Sequence, residues 1–450
     1  MVQSAKYDVF VIGSGTAGQE VATSCAEKGL KVAIADKRAF GGTCANRGCD
    51  PKKVMLTFAE IMDSATRLLG YGVEKIPQVS WEKIQNFKKT FTDHIPIATE
   101  KKLKELSIDL YHQSPQFLDA QVISVAGKTI QADYYVIASG LEPIDLAFEG
   151  GHLAQNSDDF LNLDELPKSA IFIGAGYIGM EFAHLLNTMG CDVTVLDRSQ
   201  EILSNFEMEI AAALRKSSER KGIKFDLNAD IDKLEQFENH KQVSYKKNSQ
   251  RFYIDAEIVF NTAGRKPAID ALGLESGEIK ASEKGITVNK YLQSTSNPQV
   301  YACGDVSDHS LPLTPLSGLE GQIVSKNIIE GNATGVGATT VPSAVFTLPN
   351  VAKVGMSEAE ARSRYKNVKI SIGEGKEWFN AKRQQEETYT FKIISNERTD
   401  EIVGAHLVGP QAAETINLFA LAIINRMTNE KLKSTLLTYP TMGYDIRSML

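Results

Sequence analysis

Cysteine and positive charge are both scarce in this chain of 450 residues, and each scarcity excludes a class of protein. The five cysteines, Cys25, Cys44, Cys49, Cys191 and Cys303, are too few for the disulfide scaffold of a secreted protein. Lysine and arginine number 49 against 56 acidic residues, and the net charge of −7 leaves no basic surplus to neutralise phosphates. We therefore expect no nucleic-acid partner.

Long apolar runs and histidine are scarce as well. No stretch of the sequence is long and apolar enough to span a bilayer, and the polar residues 4–8 precede only a short apolar run, unlike a signal peptide. We expect a cytoplasmic protein in a reducing compartment, with no membrane partner. None of the 7 histidines lies at ligand spacing from Cys44 and Cys49, so we expect no metal site.

What the chain does contain is one nucleotide-binding pattern, present twice. In the first copy, the β-forming run 9–12 leads into Gly13-Ser14-Gly15-Thr16-Ala17-Gly18, a helical segment and a strand that ends at Asp36. The glycines permit a tight turn and the close approach of a pyrophosphate, and the acid is placed to hold ribose hydroxyls. The predicted binding residues are Gly13, Gly15, Thr16, Ala17, Gly18, Asp36 and Lys37.

The second copy runs from the apolar segment 170–173 through a glycine turn and a helix to Asp197. Two copies predict two dinucleotides; the alternative, a duplication with one vestigial site, is disfavoured because both copies keep the three glycines and the acid. A carboxylate at Asp197 favours NADH over NADPH, although the adjacent Arg198 could pair with a 2′-phosphate. The predicted residues are Gly174, Gly176, Tyr177, Ile178, Gly179, Asp197 and Arg198.

A cysteine pair, Cys44 and Cys49, follows the first copy directly. Two thiols five positions apart can close a small disulfide if a helical turn brings them together. Beside an electron donor, such a pair is a redox switch rather than a structural crosslink. The alternative is two ordinary buried thiols, since free cysteine packs well as a small apolar group. The two nucleotide patterns favour the redox interpretation.

With its remaining motifs, the chain resembles the flavoprotein disulfide reductases, the family of glutathione reductase, dihydrolipoamide dehydrogenase and mercuric reductase. The resemblance rests on the two glycine patterns, the cysteine segment and residues 263–267, 301–305, 313–315 and 341–347. It implies an α/β fold with two Rossmann-like dinucleotide-binding domains and an α+β dimerisation domain. The implied domains are 1–145 with 266–338 for FAD, 146–265 for NAD(P), and 339–450 for dimerisation.

The resemblance also assigns further residues to the two cofactors. FAD is expected at the first glycine pattern, where a helix beginning near Thr314 would point its N-terminal amides at the flavin. Val345 and Phe346 are expected to back the nicotinamide pocket. The cofactor residues that the resemblance adds are Gly42, Thr43, Pro115, Ser139, Gly140, Gly264, Arg265, Gly304, Asp305, Leu313, Thr314, Pro315, Val345 and Phe346.

Catalytic roles are likewise implied by the resemblance. Cys49 is expected to face the flavin as the charge-transfer thiolate, and Cys44 to be the exposed thiol that attacks substrate. Lys52 and Glu181 are expected to form an ion pair beside the flavin, and Tyr177 to cover the flavin until nicotinamide displaces it. Core packing is the alternative for Tyr177; a surface lysine and a helix-face charge are the alternatives for the ion pair.

The C-terminal segment departs from the family. Glutathione reductase and dihydrolipoamide dehydrogenase carry a histidine and a glutamate there, whereas this chain has Tyr439 and Tyr444. Tyrosine is a poor base at neutral pH, although it can donate a proton or a hydrogen bond. His309 is the only histidine near the expected flavin edge, and an exposed loop position is its expected role. No cysteine follows Cys303, which disfavours mercury as the substrate.

These features predict an NAD(P)H-dependent FAD enzyme that passes electrons through Cys44 and Cys49 to a small disulfide or another thiol-reactive acceptor. We expect a homodimer in which Tyr439 of one subunit completes the cysteine site of the other. Two alternatives stay open. One is a quinone, metal-ion or oxygen reductase without disulfide exchange, and the other is a non-enzymatic redox sensor.

Overall fold

The computed structural model describes residues 5–337 and 340–450, which form two compact units. The first unit comprises the described residues of Met1–Lys52, Asn86–Ile144 and Arg265–Thr339. The second comprises Lys53–Gln85, Asp145–Gly264 and Thr340–Leu450. The three domain boundaries expected from the sequence stay a prediction.

Strands occur throughout both units. Within the described residues they are β1 (Ala5–Ile12), β2 (Val32–Ala35), β3 (Asp109–Tyr111), β4 (Gln116–Asp119), β5 (Val122–Val125), β6 (Lys128–Ile137), β7 (Leu141–Pro143), β8 (Ser169–Ile173), β9 (Asp192–Asp197), β10 (Lys224–Leu227), β11 (Asp230–Gln236), β12 (Lys241–Lys247), β13 (Gln250–Ala256), β14 (Ile258–Asn261), β15 (Arg265–Pro267), β16 (Ala281–Ser282), β17 (Gly285–Ile286), β18 (Val300–Ala302), β19 (Ser343–Val345), β20 (Asn350–Gly355), β21 (Val368–Glu374), β22 (Thr390–Asn396) and β23 (Ile402–Gly409).

Helices alternate with these strands in both nucleotide patterns. The α-helices in the same residues are α1 (Thr16–Glu27), α2 (Gly42–Arg47), α3 (Cys49–Arg67), α4 (Trp81–Thr92), α5 (Ile95–Glu105), α6 (Ser157–Leu161), α7 (Tyr177–Thr188), α8 (Met208–Arg220), α9 (Thr314–Glu330), α10 (Glu358–Arg364), α11 (Phe379–Lys382), α12 (Ala412–Ile424), α13 (Asn429–Ser434) and α14 (Met442–Met449), with one 3₁₀ turn at Gly151–Leu153. None of these helices is both long and apolar enough to cross a membrane.

The first unit is built on a sheet whose parallel strands run in the order β3-β2-β1-β6, with β18 also paired to β6. β5 and β4 extend it as antiparallel strands. Strand β1 is apolar and buried along its C-terminal half because helices cover both faces of a parallel sheet. The glycine turn after β1 therefore lies at the carboxyl edge of the sheet, where open α/β sheets bind ligands.

The second unit contains three sheets. A parallel sheet, β10-β9-β8-β14, carries the second glycine turn after β8, and an antiparallel meander of β11-β12-β13 follows β10 along the chain. The C-terminal sheet, β19-β20-β23-β22-β21, is antiparallel, and α12 packs against it. The expected α/β class, with two dinucleotide-binding folds and a C-terminal α+β domain, is confirmed.

Candidate functional site

The first glycine turn is held so tightly that side chains cannot replace Gly13 or Gly18. A Cβ on Gly13 would lie 2.2 Å from the carbonyl oxygen of Ala138, and Gly13 has a φ of +108°. A Cβ on Gly42 would lie 2.4 Å from the Cα of Gly15, so the turn before α1 and the start of α2 approach each other backbone to backbone. The N-terminus of α1 is thereby left open to an anionic ligand.

Asp36 ties the end of β2 to this turn. Its Oδ2 accepts hydrogen bonds from the Ser14 amide at 2.9 Å and from the Ser14 hydroxyl at 2.6 Å. Its Oδ1 accepts a hydrogen bond from the Arg38 amide. A carboxylate so anchored has a fixed position at the edge where ribose hydroxyls are expected. Lys37 beside it is exposed and forms an ion pair with Glu142 at 3.3 Å.

Three features of this unit fit a bound FAD. The glycine turn is a cradle that a Cβ would fill. The Ser139 hydroxyl oxygen is buried and lacks a hydrogen-bond partner within the described residues, directly behind Gly13. Asp305 follows β18, and its Oδ1 accepts a hydrogen bond from the Ser317 hydroxyl at 3.1 Å. An unpaired buried hydroxyl is costly unless a ligand or water completes it.

The second glycine turn repeats this construction. A Cβ on Gly174 would lie 2.4 Å from the Thr262 carbonyl oxygen, whereas Gly176 faces open space. The Asp197 Oδ2 accepts a hydrogen bond from the Ala175 amide at 2.7 Å, as Asp36 does from Ser14. The equivalence of the two turns supports two dinucleotide sites. Arg198 is exposed.

The two cysteines lie on either side of a helix break. Cys44 lies in the short helix α2, and Cys49 begins the long helix α3, because Gly48 between them leaves helical backbone geometry. At the N-terminus of α3, a thiolate on Cys49 is stabilised by the unpaired amides of the first helical turn. The Cys49 sulfur also lies 3.7 Å from the hydroxyl of Thr314, the first residue of α9.

The surroundings of the two thiols lower the pKa of one and raise the pKa of the other. Hydrogen bonding with Cys44 is the largest cause that lowers the pKa of the Cys49 thiol, to about 6. The Thr314 hydroxyl and the Lys52 charge lower the pKa of Cys49 further, whereas burial and Asp50 raise it. The same hydrogen bond raises the pKa of Cys44 well above its usual range. Near neutral pH the pair therefore holds one thiolate, on Cys49.

The exposure of the two cysteines in the single chain differs from what the sequence led us to expect. Cys49 is exposed and Cys44 is half-buried, whereas Cys44 was expected to be the exposed thiol. The lowered pKa of Cys49 agrees with its expected role as the thiolate, whereas the exposure of the two thiols does not agree with their expected roles. Which thiol attacks the acceptor therefore stays a prediction.

Glu181 lies on α7, one turn after the second glycine pattern. It is buried, and its Oε1 accepts a hydrogen bond from the Phe346 amide at 2.8 Å. The neighbouring Val345 is buried, and Tyr177 at the start of α7 is 44% exposed. This exposure allows a ring movement, which buried core packing would prevent. The predicted Lys52–Glu181 ion pair joins residues of the two units and stays a prediction.

The C-terminal tyrosines form a pair. The rings of Tyr439 and Tyr444 meet edge to face with centroids 5.0 Å apart, and Tyr439 is 65% exposed. Arg447 donates a hydrogen bond to the Tyr444 hydroxyl at 3.1 Å. A cation therefore supports the tyrosine pair.

The other predicted residues take positions consistent with their motifs. Pro115 is buried after β3, Gly304 is buried before Asp305, and His309 is exposed as expected. Arg265 donates a hydrogen bond to the Leu141 carbonyl where β15 pairs with β7. The remaining half-buried or exposed positions are those of Gly15, Thr16, Thr43, Gly140, Gly264, Leu313 and Pro315, whereas Ala17, Gly18 and Gly179 are buried.

Sequence reasoning missed several residues that shape the site. Thr314 was named as a helix start but not as a partner of Cys49, which lies 265 positions away in the chain. Arg447 and the buried carboxyl of Glu320 were not singled out. No local pattern marks any of these contacts, because each depends on tertiary packing.

Comparison with known proteins gives matches over nearly the whole chain. A family model described as pyridine nucleotide-disulphide oxidoreductase matches residues 7–321, and the dimerisation domain of the same family matches residues 341–449. A glutathione reductase of Burkholderia cepacia is 32% identical over 98% of both chains. A dihydrolipoyl dehydrogenase of Bacillus subtilis (strain 168) is 31% identical over 98% of this chain and 97% of its own. A mercuric reductase of Staphylococcus aureus is 30% identical over 98% of this chain and 81% of its own.

Proposed function

The chain belongs to the pyridine nucleotide-disulphide oxidoreductase family, and on that premise we propose that Cys44 and Cys49 deliver electrons to a small disulfide or another thiol-reactive acceptor. Members of the family are NAD(P)H-dependent flavoprotein disulfide oxidoreductases, so the cofactors are FAD and a pyridine nucleotide. The acceptor and the role of each residue are parts of the proposal.

One observation carries the proposal: the Cys49 sulfur lies at the N-terminus of α3 and 3.7 Å from the Thr314 hydroxyl, where the pKa of its thiol is lowered. A thiolate is the reactive form of cysteine, and a lowered pKa makes it available at neutral pH. Cys49 retains the thiolate under the influence of α3, Thr314 and Lys52. With a disulfide acceptor, the Cys44 sulfur forms a mixed disulfide and releases the first thiolate, to which the Cys44 proton passes. The Cys49 thiolate then attacks the Cys44 sulfur, restores the intramolecular disulfide and releases the second thiolate, which takes a proton from solvent.

FAD would be held by residues of the first unit. The amides of α1 would face its pyrophosphate, Asp36 its ribose, and Ser139 and Asp305 its middle portion, with α9 directing its N-terminus at the flavin. FAD, when bound, accepts a hydride from the nicotinamide and passes the electron pair to the disulfide.

The second glycine turn would hold the pyridine nucleotide, with Asp197 on the adenosine ribose. A carboxylate fixed at 2.7 Å from the Ala175 amide has little freedom to move away from a 2′-phosphate, so NADH is favoured over NADPH. Comparison of kcat/KM for the two nucleotides tests this preference. A higher value for NADPH would contradict it.

The dimerisation domain supports a homodimer. We propose that Tyr439 of one subunit completes the cysteine site of the other, as a proton donor or a substrate contact in the place where relatives carry histidine. The scarcity of cysteine supports a reducing compartment, and hence a cytoplasmic location.

Turnover with a panel of acceptors tests the proposed function. The protein is first reduced with NADH under anaerobic conditions. Oxidised low-molecular-weight thiols, quinones and metal ions are then added in separate experiments. Reoxidation by one disulfide, lost in Cys44→Ala, is the expected result. A yellow protein that NADH and NADPH both fail to bleach would overturn the proposal.

A second candidate function is favoured by the tyrosine pair. Without histidine and glutamate, the site lacks the usual general acid to protonate a leaving thiolate. This lack does not affect the reduction of a quinone or a metal ion, because neither releases a thiolate. In that case, quinone reduction survives Cys44→Ala because electrons leave without disulfide exchange. The same panel therefore separates the two candidates.

A further inference from the structure

Glu320 is a buried carboxyl that the proposed reaction does not use. It lies two turns into α9, and none of its side chain is exposed. Its Oε2 accepts a hydrogen bond from the Gly304 amide at 2.7 Å. Its Oε1 is also buried and lacks a hydrogen-bond partner within the described residues. One oxygen thus fixes the Gly304 backbone, and the other makes no hydrogen bond of good geometry within the described residues, although the Ser310 hydroxyl is near enough to lower the pKa of the carboxyl.

Glu320 and Ser317 together clamp the turn that carries Asp305. Ser317, one turn earlier on α9, donates a hydrogen bond to the Asp305 Oδ1 at 3.1 Å. Gly304 has a φ of +72°, and a Cβ there would lie 3.2 Å from the Cβ of Ala17 and 3.3 Å from the Ser317 hydroxyl. The turn is therefore enclosed by α1 and α9. Its position is set by two adjacent side chains of α9.

The groups that face Glu320 act in both directions on a negative charge: burial, which is the largest cause, and Asp305 raise the pKa of its carboxyl, whereas the Gly304 amide and the Ser310 hydroxyl lower it. Asp305 faces it from the turn after β18, the Cys303 thiol from the end of that strand, and Glu20 of α1 packs beside the next residue of α9. Within the described residues, Glu320 forms no ion pair with lysine, arginine or histidine. An unpaired buried carboxylate is costly, so the neutral carboxyl is preferred. Burial raises the pKa of Glu320 to about 7.

We infer that Glu320 is a positioning residue of the FAD site that must carry a proton when FAD is bound. The inference rests on the proposed placement of FAD at Gly304 and Asp305. A neutral carboxyl accepts the Gly304 amide through Oε2 and has a proton on Oε1 to donate to a ligand atom or water. An ionised carboxyl keeps the first contact, loses the second, and adds a buried negative charge beside an anionic cofactor.

The sign of the pH dependence follows from this arrangement. Below about pH 7 the free protein already has a neutral Glu320, so FAD binding takes up no proton. Above about pH 7 binding must take up one proton, and the affinity falls as pH rises. For one linked proton, the dissociation constant of FAD should increase on the order of tenfold between pH 6 and pH 8.

Equilibrium titration of the apoprotein with FAD at several pH values, followed by flavin fluorescence, tests the inference. Glu320→Gln keeps an acceptor for the Gly304 amide and cannot ionise, so its FAD affinity should stay near the pH 6 value of the unmodified protein at every pH. Glu320→Leu removes the acceptor and should bind FAD more weakly at every pH, without the slope. Glu330→Gln, at the exposed end of the same helix, is the matched control and should keep the slope.

The outcomes separate this inference from the proposed function. If the unmodified protein binds no FAD, the proposed function fails. If it binds FAD but Glu320→Gln keeps the same slope as Glu330→Gln, only the inference fails. Circular dichroism of each apoprotein shows whether the variants are folded, so a change in affinity is not confused with unfolding.

Discussion

At the scale of single residues, the proposed chemistry depends on which of the two sulfurs, Cys44 or Cys49, carries the proton and which is the thiolate. Cys44 lies within the short helix α2, whereas Cys49 is the first residue of the 19-residue helix α3 and gains from the amides at its N-terminus. Thr314 adds a hydroxyl 3.7 Å from the Cys49 sulfur. Cys25, Cys191 and Cys303 are buried, and burial raises the pKa of each of these thiols. Reactive and inert cysteines are thus distinguished by their surroundings.

Alkylation of the reduced protein should report this difference. Because the pKa of Cys49 is lowered to about 6, its reaction with iodoacetamide should continue down to that pH and decline below it. Trypsin cleaves after Arg47, so mass spectrometry reads Cys44 and Cys49 on separate peptides. Cys44→Ala removes the largest cause of the lowered pKa and should move the midpoint to higher pH; Thr314→Val should do so to a smaller extent. An unchanged midpoint in both variants would contradict the account.

Tyr439 should matter to the acceptor and not to the pyridine nucleotide. Loss of its hydroxyl in Tyr439→Phe should lower kcat with a disulfide on the order of a hundredfold or more, as expected for a lost general acid. Reduction of the protein by NADH, followed by stopped flow, should be unchanged. Tyr365→Phe, on a different segment of the same unit, is the control. Equal losses in both half-reactions would assign Tyr439 a structural role.

At the scale of elements, the sequence predicted the two β-turn-α units well because their patterns are local. The helix expected near Thr314 begins at Thr314. The break at Gly48 was not foreseen, since its backbone geometry is decided by how α2 and α3 are placed. Contacts between distant segments, such as Thr314 with Cys49 or Arg447 with Tyr444, carry no local signal. The site was therefore predictable as a set of motifs and not as a set of distances.

The approach of the turn before α1 to α2 gives a prediction about cofactor binding. Gly42→Ala places a Cβ 2.4 Å from the Cα of Gly15 at a φ of +76°, so the backbone must move and FAD should be lost during purification. Gly29→Ala is a matched control, because its φ is +84° but nothing lies within 4 Å of the added Cβ. It should keep FAD at a cost of about 1 kcal/mol in the free energy of unfolding. FAD content per chain, from absorbance, checks both.

A buried lysine joins helices and sheet in the second unit. The Lys392 side chain on β22 is 3% exposed, and its Nζ lies 2.7 Å from Glu207, 2.9 Å from Glu209 and 2.7 Å from Glu358. Glu207 precedes α8, and Glu358 begins α10. Removal of the buried Lys392 ammonium would leave three carboxylates close together, with only Glu358, within the described residues, keeping a second ion pair, to Arg362 at 2.7 Å. Loss of one partner of a buried ion pair is costly because the remaining charge stays uncompensated.

Lys392→Met should therefore lower the free energy of unfolding by about 3–5 kcal/mol. Lys382→Met, which breaks an exposed ion pair with Glu377, should cost less than about 1 kcal/mol. Denaturation in urea measures both. Lys392 holds the pKa of the Glu358 carboxyl below its usual range. The stability that this ion pair contributes is therefore present above the pKa of Glu358 in the unfolded chain, and it is lost as the pH falls through the lower pKa of Glu358 in the folded protein. Similar losses for the two variants would contradict this account.

At the scale of the whole molecule, the proposed site needs two subunits. The dimerisation domain matches residues 341–449 and contains both Tyr439 and Tyr444, whereas Cys44 and Cys49 lie in the part matched by the oxidoreductase model. If Tyr439 acts on the cysteines of the other subunit, a dimer of Cys44→Ala with Tyr439→Ala contains one site with both residues intact. Each variant alone lacks such a site.

Co-expression of these two variants should restore activity that neither homodimer has. Random pairing places half of the chains in mixed dimers with one intact site each, so about a quarter of the unmodified activity is expected. Light scattering confirms the dimer. Activity no greater than the average of the two homodimers would show that Tyr439 and Cys44 act within one chain or not together.

Cys44 and Cys49 are proposed to be the electron outlet, with Cys49 as the thiolate beside the flavin. Anaerobic titration with NADH, followed by absorbance, tests this proposal most directly in the unmodified protein, Cys44→Ala and Cys49→Ala. The account predicts a long-wavelength charge-transfer band in the first two and none in Cys49→Ala. A band that persists in Cys49→Ala and disappears in Cys44→Ala would contradict it.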